Sequence, residues 1–279
     1  MTTTLRPAGP LETAADGSRS RVYEVCVNSR PVGEVRLATD AAFGPKAGVI
    51  KSLRIDEADR RRGRGTVAAL AAEEVLRGWG CTRVLVSVPA DAPIAQRMTE
   101  ALGYTEVSRN MLKELTGPLP ALPEDIGARP MTQEEFTVWE ADARRSFAAS
   151  WTARGVPADQ ARAKAEASHR ELLPEGLATP GTALQVVERD GAVVGRVWTG
   201  RRKLAPGVHG GYVYDVHVAP EHRGLGLGRA LMLLAERTTA EAGDRLLGLH
   251  VFAENTPALR LYDSLGYRTT HVNSGKPLL

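Results

Sequence analysis

The stretch Val218-Ala-Pro220-Glu-His-Arg223-Gly224-Leu-Gly226-Leu-Gly228-Arg229 gathers the residue types that hold a diphosphate. Closely spaced glycines admit positive φ and let a ligand approach the backbone. A loop of this kind opening a helix turns several N–H groups toward one point, and the helix dipole adds partial positive charge there. Arg223 and Arg229 offer charge-assisted bonds to phosphate oxygens. The spacing is G-x-G-x-G, reached five residues after the preceding β-branched stretch, so it is not the G-x-G-x-x-G of a dinucleotide fold. The G-K-[ST] of a Walker loop is missing as well.

The elements around this loop occur twice. Shifting the chain by 163 positions aligns residues 55–104 with 218–267 without a gap, and fourteen of the fifty pairs are identical. Arg60/Arg223, Gly63/Gly226, Gly65/Gly228, Glu73/Glu236 and the closing Leu102-Gly103-Tyr104/Leu265-Gly266-Tyr267 are among them. A fixed period of this kind marks a duplicated supersecondary unit. Each copy reads as a hairpin, a β-branched strand, the glycine loop, a helix, a short apolar strand, a second helix and a last strand. Leu227, Leu231 and Leu234 recur at helical spacing, and Arg189-Asp190-Gly191 supplies a hairpin turn. The copies differ in front of the hairpin. The second has about fifty residues with helical patterning there, and the first barely twenty irregular ones. Three prolines between them, Pro118, Pro120 and Pro123, predict a linker. The expected boundaries are 1–117, 118–128 and 129–279.

With the loop, Asn255-x-x-Ala258-x-x-Leu261-Tyr262-x-x-Leu265-Gly266-Tyr267 resembles the GCN5-related N-acetyltransferase (GNAT) superfamily. The resemblance covers residues 183–271 well, and the first half is similar to a degraded second copy. It implies an α/β fold with a mixed (α+β) sheet, in two tandem GNAT-like acyl-CoA N-acyltransferase domains of which the first is truncated. It also implies an enzyme, an acyltransferase that moves an acetyl group from acetyl-CoA to a primary amine of a small molecule by direct transfer in a ternary complex. Two neighbouring parallel strands, 212–218 and Leu246–Phe252, would part to admit the thioester. The backbone of Val216, His217 and Val218 would hold the pantetheine arm. The loop N–H groups of Arg223, Gly224, Leu225, Gly226, Leu227, Gly228 and Arg229 would hold the pyrophosphate, and Asn255 would fix the arm. Tyr262 matches the family's general acid, and a phenol ordinarily keeps its proton at neutral pH. His250 stands where some members carry a basic glutamate. It reads either as the base or as a core histidine. Asp215 is the other base candidate, ranked lower because strict strand alternation turns it away from Tyr212 and Tyr214, which would shape the acceptor pocket. The acidic run Glu134, Glu135, Glu140, Asp142 reads either as an attractor for a cationic acceptor or as a solvated face.

The first copy has Thr99, Ala92 and Ser87 at the positions of Tyr262, Asn255 and His250. It is therefore expected to be catalytically silent, though Arg60, Gly63 and Gly65 leave coenzyme binding open. Alternatives for the whole are acetylation of a cysteinyl amine of the mycothiol-synthase kind, protein N-acetylation, and a non-catalytic acyl-CoA-binding module. The chain has 279 residues, 43% apolar and 25% charged, with Lys+Arg 36 against Asp+Glu 33. That balance, +3, speaks against nucleic acid as a partner. No apolar run spans a bilayer and no signal segment is visible, so a cytoplasmic protein without a membrane partner is expected. Two cysteines make neither a disulfide framework nor a metal site. A monomer with pseudo-dimeric domains, or a homodimer, is expected.

Overall fold

The computed structural model describes residues 3–40, 46–118, 120–153 and 156–278. In chain order the strands and helices are β1 (Thr3–Pro7), β2 (Glu12–Thr13), β3 (Arg19–Val27), β4 (Arg30–Thr39), β5 (Ala47–Ile55), α1 (Arg64–Gly78), β6 (Arg83–Pro89), α2 (Pro93–Ala101), β7 (Thr105–Glu114) and β8 (Gly127–Pro130). There follow α3 (Gln133–Ala153), α4 (Ala158–Leu172), β9 (Thr182–Arg189), β10 (Ala192–Ala205), β11 (Val208–Val218), α5 (Leu227–Glu241), β12 (Leu246–Phe252), α6 (Thr256–Ser264) and β13 (Arg268–Pro277). They form two compact units. The first is Met1–Val107 with Trp151–Pro157 and His271–Leu279, and the second is Ser108–Ser150 with Ala158–Thr270.

In the first unit the strands pair β1-β3-β4-β5-β6, antiparallel except for β5 on β6. Two left-handed residues, Asn28 and Ser29, turn β3 into β4. The core joins α1, through Leu76, to Val35, Leu37 and Val84. Among the described residues no helix precedes β3, and the stretch expected to be irregular forms β1 against β3.

In the second unit the order is β7-β12-β11-β10-β9-β8, with only β11 and β12 parallel. Leu227, Leu231 and Leu234 of α5 are buried against Val197, Val213, Leu247 and Leu249 on one face. Phe136 and Trp139 of α3 pack with Leu184, Val186 and Trp198 on the other. The left-handed pair Asp190-Gly191 makes the expected turn between β9 and β10.

The units do not follow the boundary expected at 117. The last strand of each repeat is counted in the other unit: Ser108–Glu114 lies antiparallel on β12, and His271–Pro277 on β6. A matched polar triad accompanies each exchanged strand. In the first unit Lys276 Nζ meets Glu73 Oε2 at 2.8 Å, and Tyr104 Oη donates to Glu73 Oε1 at 2.9 Å. In the second Lys113 Nζ meets Glu236 Oε2 at 2.7 Å and sits 5.6 Å from the Tyr267 ring centre. The stretch expected to be a linker, 118–128, packs on the second unit. Ile126 is buried in the second unit's core, Pro120 O accepts from Arg237, and Gly127 already belongs to β8.

Candidate active site

The second unit's parallel pairing runs from Gly211↔Leu247 to Val213↔Leu249 and then stops. β12 continues along β7 to Phe252, and β11 along β10 to Val218. The two strands part, and the inner edge of β11 from Tyr214 to Val218 loses its strand partner. A gap of this kind leaves backbone donors and acceptors for a ligand to satisfy.

A β-bulge sits at its root. Trp198 pairs with Asp215 and Thr199 with Val213, so Tyr214 is an extra residue on β11. The bulge corrects the face that strand alternation assigned to Asp215. Alternation is broken at Tyr214, and the Asp215 side chain comes to the same face as Tyr214 and Trp198. There Trp139 Nε1 donates to Asp215 Oδ2 at 3.3 Å, and Arg196 Nε stands 3.4 Å from the same oxygen. Trp139 and Arg196 were not foreseen, since nothing in their local pattern points to Asp215.

Tyr212 and Tyr214 line this face. The Tyr214 ring stacks on Trp198 at 4.7 Å, and the Tyr212 ring centre lies 5.0 Å from that of Tyr214. The fit depends on glycines. A Cβ at Gly200 would stand 3.0 Å from the Tyr214 ring, and one at Gly248 3.3 Å from the Tyr212 ring. Burial pushes both phenols above their usual range. His250 shares the face of Gly248 by alternation along β12, and it is exposed, with its ring edge-on to Phe252 at 5.0 Å. The core-histidine alternative is thereby excluded. The side chains of Val216 and Val218 pack toward α5, whereas His217 points to the α3 side. There it lines a cavity of about 430 Å³ with Glu134, Trp139, Asp142 and Arg196, and burial lowers its pKa.

At the far end of β11 a 3₁₀ turn, Pro220–His222, leads into the loop. Gly224 and Gly226 are left-handed at φ 80° and 79°, and Gly226 is the N-cap of α5. The first N–H groups of a helix have no intrahelical acceptor, and a cap without a side chain leaves them open to an anion. Gly228 has a different task. Its Cβ would lie 3.2 Å from Leu261, so it permits α5 to approach α6. The two arginines are partly engaged within the fold: Arg223 Nε donates to Val218 O at 3.3 Å, and Arg229 donates to Ser264 Oγ at 2.6 Å. Leu225 is exposed and Leu227 buried, so Leu227 can offer a ligand only its backbone.

Asn255 caps α6, its Oδ1 accepting from Ala258 N at 3.2 Å. That bond occupies the carbonyl side of the amide. Tyr262, seven residues on, is nearly buried, with its ring centre 5.9 Å from that of Tyr267. Burial raises its pKa, and the Asp215 carboxylate raises it further.

The acidic run on α3 is mostly spoken for. Arg129 grips Glu135 with two nitrogens at 2.8 Å, and Thr132 and Glu135 form a capping box, which together hold the carboxyl down to about 2. Glu140 pairs with Arg144, and Asp142 with Arg145.

The first unit repeats the backbone with different side chains at the matching positions. β5 and β6 part after Ile50↔Val86, Lys51 occupies the bulge, and Arg60 Nε donates to Ile55 O at 2.8 Å. Gly63 is left-handed at φ 72°, and Arg61 at φ 59° stands where the other loop has Gly224. Gly65 lies in the first turn of α1, where a Cβ would stand 3.5 Å from the Met98 sulfur. Beneath the loop a buried Asp59 pairs with Arg64 and Arg30. Thr99 Oγ1 is turned back onto Gln96 O, Ala92 caps without a side-chain bond, and Ser87 donates to Asn273.

This geometry agrees with comparisons to known proteins. The model of the acetyltransferase (GNAT) family matches residues 4–104 and 138–267. The chain is 32% identical to a mycothiol acetyltransferase of Acidothermus cellulolyticus, over 83% of this chain and 70% of that one. It is 30% identical to that of Saccharomonospora viridis, over 96% and 87%. Among solved structures, its fold resembles a GCN5-related N-acetyltransferase from Sphaerobacter thermophilus (TM-score 0.59, 19% identity, 92% and 80% of the two chains). It also resembles a tandem GNAT protein from the clavulanic acid biosynthesis pathway (TM-score 0.53, 20% identity, 96% and 85%). Two matched regions, two splayed sheets and two glycine loops lead to one conclusion: the chain belongs to the GNAT acetyltransferase family and carries its fold twice.

Proposed function

We propose that the second unit transfers an acetyl group from acetyl-CoA to the primary amine of a small molecule, and that the first unit is catalytically silent. The observation that carries this reading is the parting of β11 and β12 after Val213/Leu249, followed in the chain by the N-terminus of α5 with its Gly226 cap. The residues fit the co-substrate. Gly226 and the first turn of α5 suit its pyrophosphate, and the open edge at 214–218 suits its amide-bearing arm. Acetyl-CoA supplies the activated acyl group. The chain's residues orient and move protons. Asp215, anchored by Trp139 and Arg196, attracts the incoming ammonium. His250, exposed at the mouth, takes its proton. A β11 N–H beyond the bulge stabilises the developing oxyanion. Tyr262 donates to the departing thiolate. In the first unit Thr99 and Ser87 cannot play these parts.

Among amines, the cysteinyl amine of a mycothiol-type acceptor is favoured over other acceptors by the names of the relatives at 30–32% identity. A thiol-release assay over a panel of amines that includes a cysteinyl amide tests the reading. Turnover with at least one amine is expected. Tight acetyl-CoA binding with no turnover on any amine would make the protein a binding module instead. A second measurement isolates the base: His250→Gln is expected to flatten the acidic limb of the kcat/KM profile. An unchanged limb would move the role to Asp215.

A further inference from the structure

α4 packs on the face of the second unit's sheet that carries Trp198 and Tyr214, and it buries one narrow stripe. Ala161, Ala165 and His169 follow at four-residue spacing and are 0%, 1% and 5% exposed. The two alanines let the helix come close, and the histidine is the polar group that the stripe carries inward. Its ring lies among Trp139, Phe147 and Trp198, with ring centres at 6.2, 6.5 and 6.0 Å. Nδ1 stands 3.0 Å from Ala165 O. A carbonyl only accepts, so Nδ1 carries the proton and Nε2 presents a lone pair. Burial lowers the pKa of the ring, which favours this neutral form. Nε2 is itself buried and has no hydrogen-bond partner among the described residues.

Trp198 supplies the complementary group. The residue is 6% exposed, and its indole N–H is buried with no partner among the described residues. Trp139, in the same cluster, gives the contrast, since its N–H reaches Asp215. Buried polar groups are nearly always paired, because one left alone carries its full desolvation penalty. Here an unpaired donor and an unpaired acceptor, each more than nine-tenths buried, belong to neighbouring rings. The Trp198 ring lies nearly flat on Tyr214, at 4.7 Å and 29°. Against His169 it stands 6.0 Å away and tilted by 41°, so those two planes diverge.

We infer that Trp198 Nε1 and His169 Nε2 hold one hydroxyl oxygen between them, supplied by the acceptor or by a water. A hydroxyl both accepts and donates, so a single oxygen satisfies the pair: the indole N–H donates to it, and its own proton goes to Nε2. A carboxylate would serve only the indole, and an ammonium only the histidine. The wedge between the diverging rings is the place for this oxygen. The stack of Tyr214 on Trp198 ties the subsite to the acceptor face. For an acceptor hydroxyl the inference rests on the acetyl-transfer reading and narrows its substrate class to amino alcohols.

Two measurements on the full chain test the subsite and tell the sources apart. Amino alcohols of graded length are compared with the alkylamines that lack the hydroxyl. With the oxygen supplied by the acceptor, one amino alcohol is expected to have a kcat/KM about ten- to a hundredfold above its alkylamine, and Trp198→Phe and His169→Phe should each bring that ratio near one. The ratio is taken within each variant, so a general loss of activity does not imitate the effect. With the oxygen supplied by a water, the Trp198 indole proton should show cross-relaxation with a long-lived water in the nuclear magnetic resonance spectrum. Trp198→Phe assigns that signal by deleting it, and His169→Phe should keep the indole signal but lose the water. Either result supports the subsite and names its source. A ratio near one for every pair, with no water at the indole or one that survives His169→Phe, would overturn the subsite and leave the transfer reading standing. Absence of any acetylation would overturn that reading, and the indole measurement alone would then decide the subsite.

Discussion

Tyr262→Phe should lower kcat by about 10² to 10⁴, the range for loss of a positioned general acid, while KM for acetyl-CoA moves only a few-fold. The substitution separates chemistry from packing. The Tyr262 ring sits in the core shared by α5, α6 and β12, nearly buried and 5.9 Å from that of Tyr267. Phenylalanine keeps the ring and removes one oxygen, so the fold should survive and the proton should not. The pH behaviour gives an independent check. Burial and the Asp215 carboxylate both disfavour the phenolate, so the phenol titrates above its ordinary value of 10. It therefore stays protonated throughout the neutral and mildly alkaline range. The same raised pKa makes its contribution to stability complete below pH 10 and lost as pH climbs through the folded value. A basic limb of kcat well below pH 10 must then belong to another group. A Tyr262→Phe rate within twofold of the parent would remove the tyrosine from the mechanism.

How far the sequence reached is best seen by comparing residues. Gly226 and the Asp190-Gly191 turn were legible because their signals are local: a left-handed N-cap and a primed hairpin turn. The 163-residue period was legible because a duplicated loop keeps its glycines in register. Asp215 was placed on the wrong face because a bulge leaves no mark in an alternation pattern: Val213-Tyr214-Asp215 reads as ordinary strand, and only pairing with Trp198 and Thr199 reveals the extra residue. The uses of Arg223, Arg229 and Gly228 were hidden for a related reason. Their partners, Val218 O, Ser264 and Leu261, are set by the way the loop and α6 close on each other. His250 was ambiguous because an apolar strand whose two faces differ in exposure looks the same in sequence as a fully buried one. Least legible was strand exchange, since residues 105–114 and 268–277 carry equivalent patterns and either could lie on either neighbour.

That exchange makes a counter-intuitive result the expected one: Lys276→Met, near the C-terminus, should loosen the N-terminal repeat, and Lys113→Met, in the N-terminal repeat, should loosen the C-terminal one. Lys113 and Lys276 are themselves 163 residues apart, as are Glu73 and Glu236, and Tyr104 and Tyr267. Each glutamate side chain is only 5% exposed, and its ammonium partner arrives on the strand encoded by the other repeat. Removing one partner of a buried pair leaves an uncompensated charge, which costs about 3–5 kcal/mol. That is a large share of the 5–15 kcal/mol by which a domain is ordinarily stable. At roughly 2–4 °C per kcal/mol for a domain of 150 residues or more, melting of the affected unit should fall by about 6–20 °C. Hydrogen exchange locates the effect. Lys276→Met should speed exchange in α1, with α5 still protected, and Lys113→Met should do the reverse. The double variant Lys113→Met/Glu236→Leu should regain most of the loss, because an apolar pair of similar volume replaces the ion pair without stranding a charge. Exchange that quickened in the repeat encoding the mutated lysine would mean that each strand returns to its own repeat. The triads would then pair within repeats, and the second unit would owe nothing to residues 108–114.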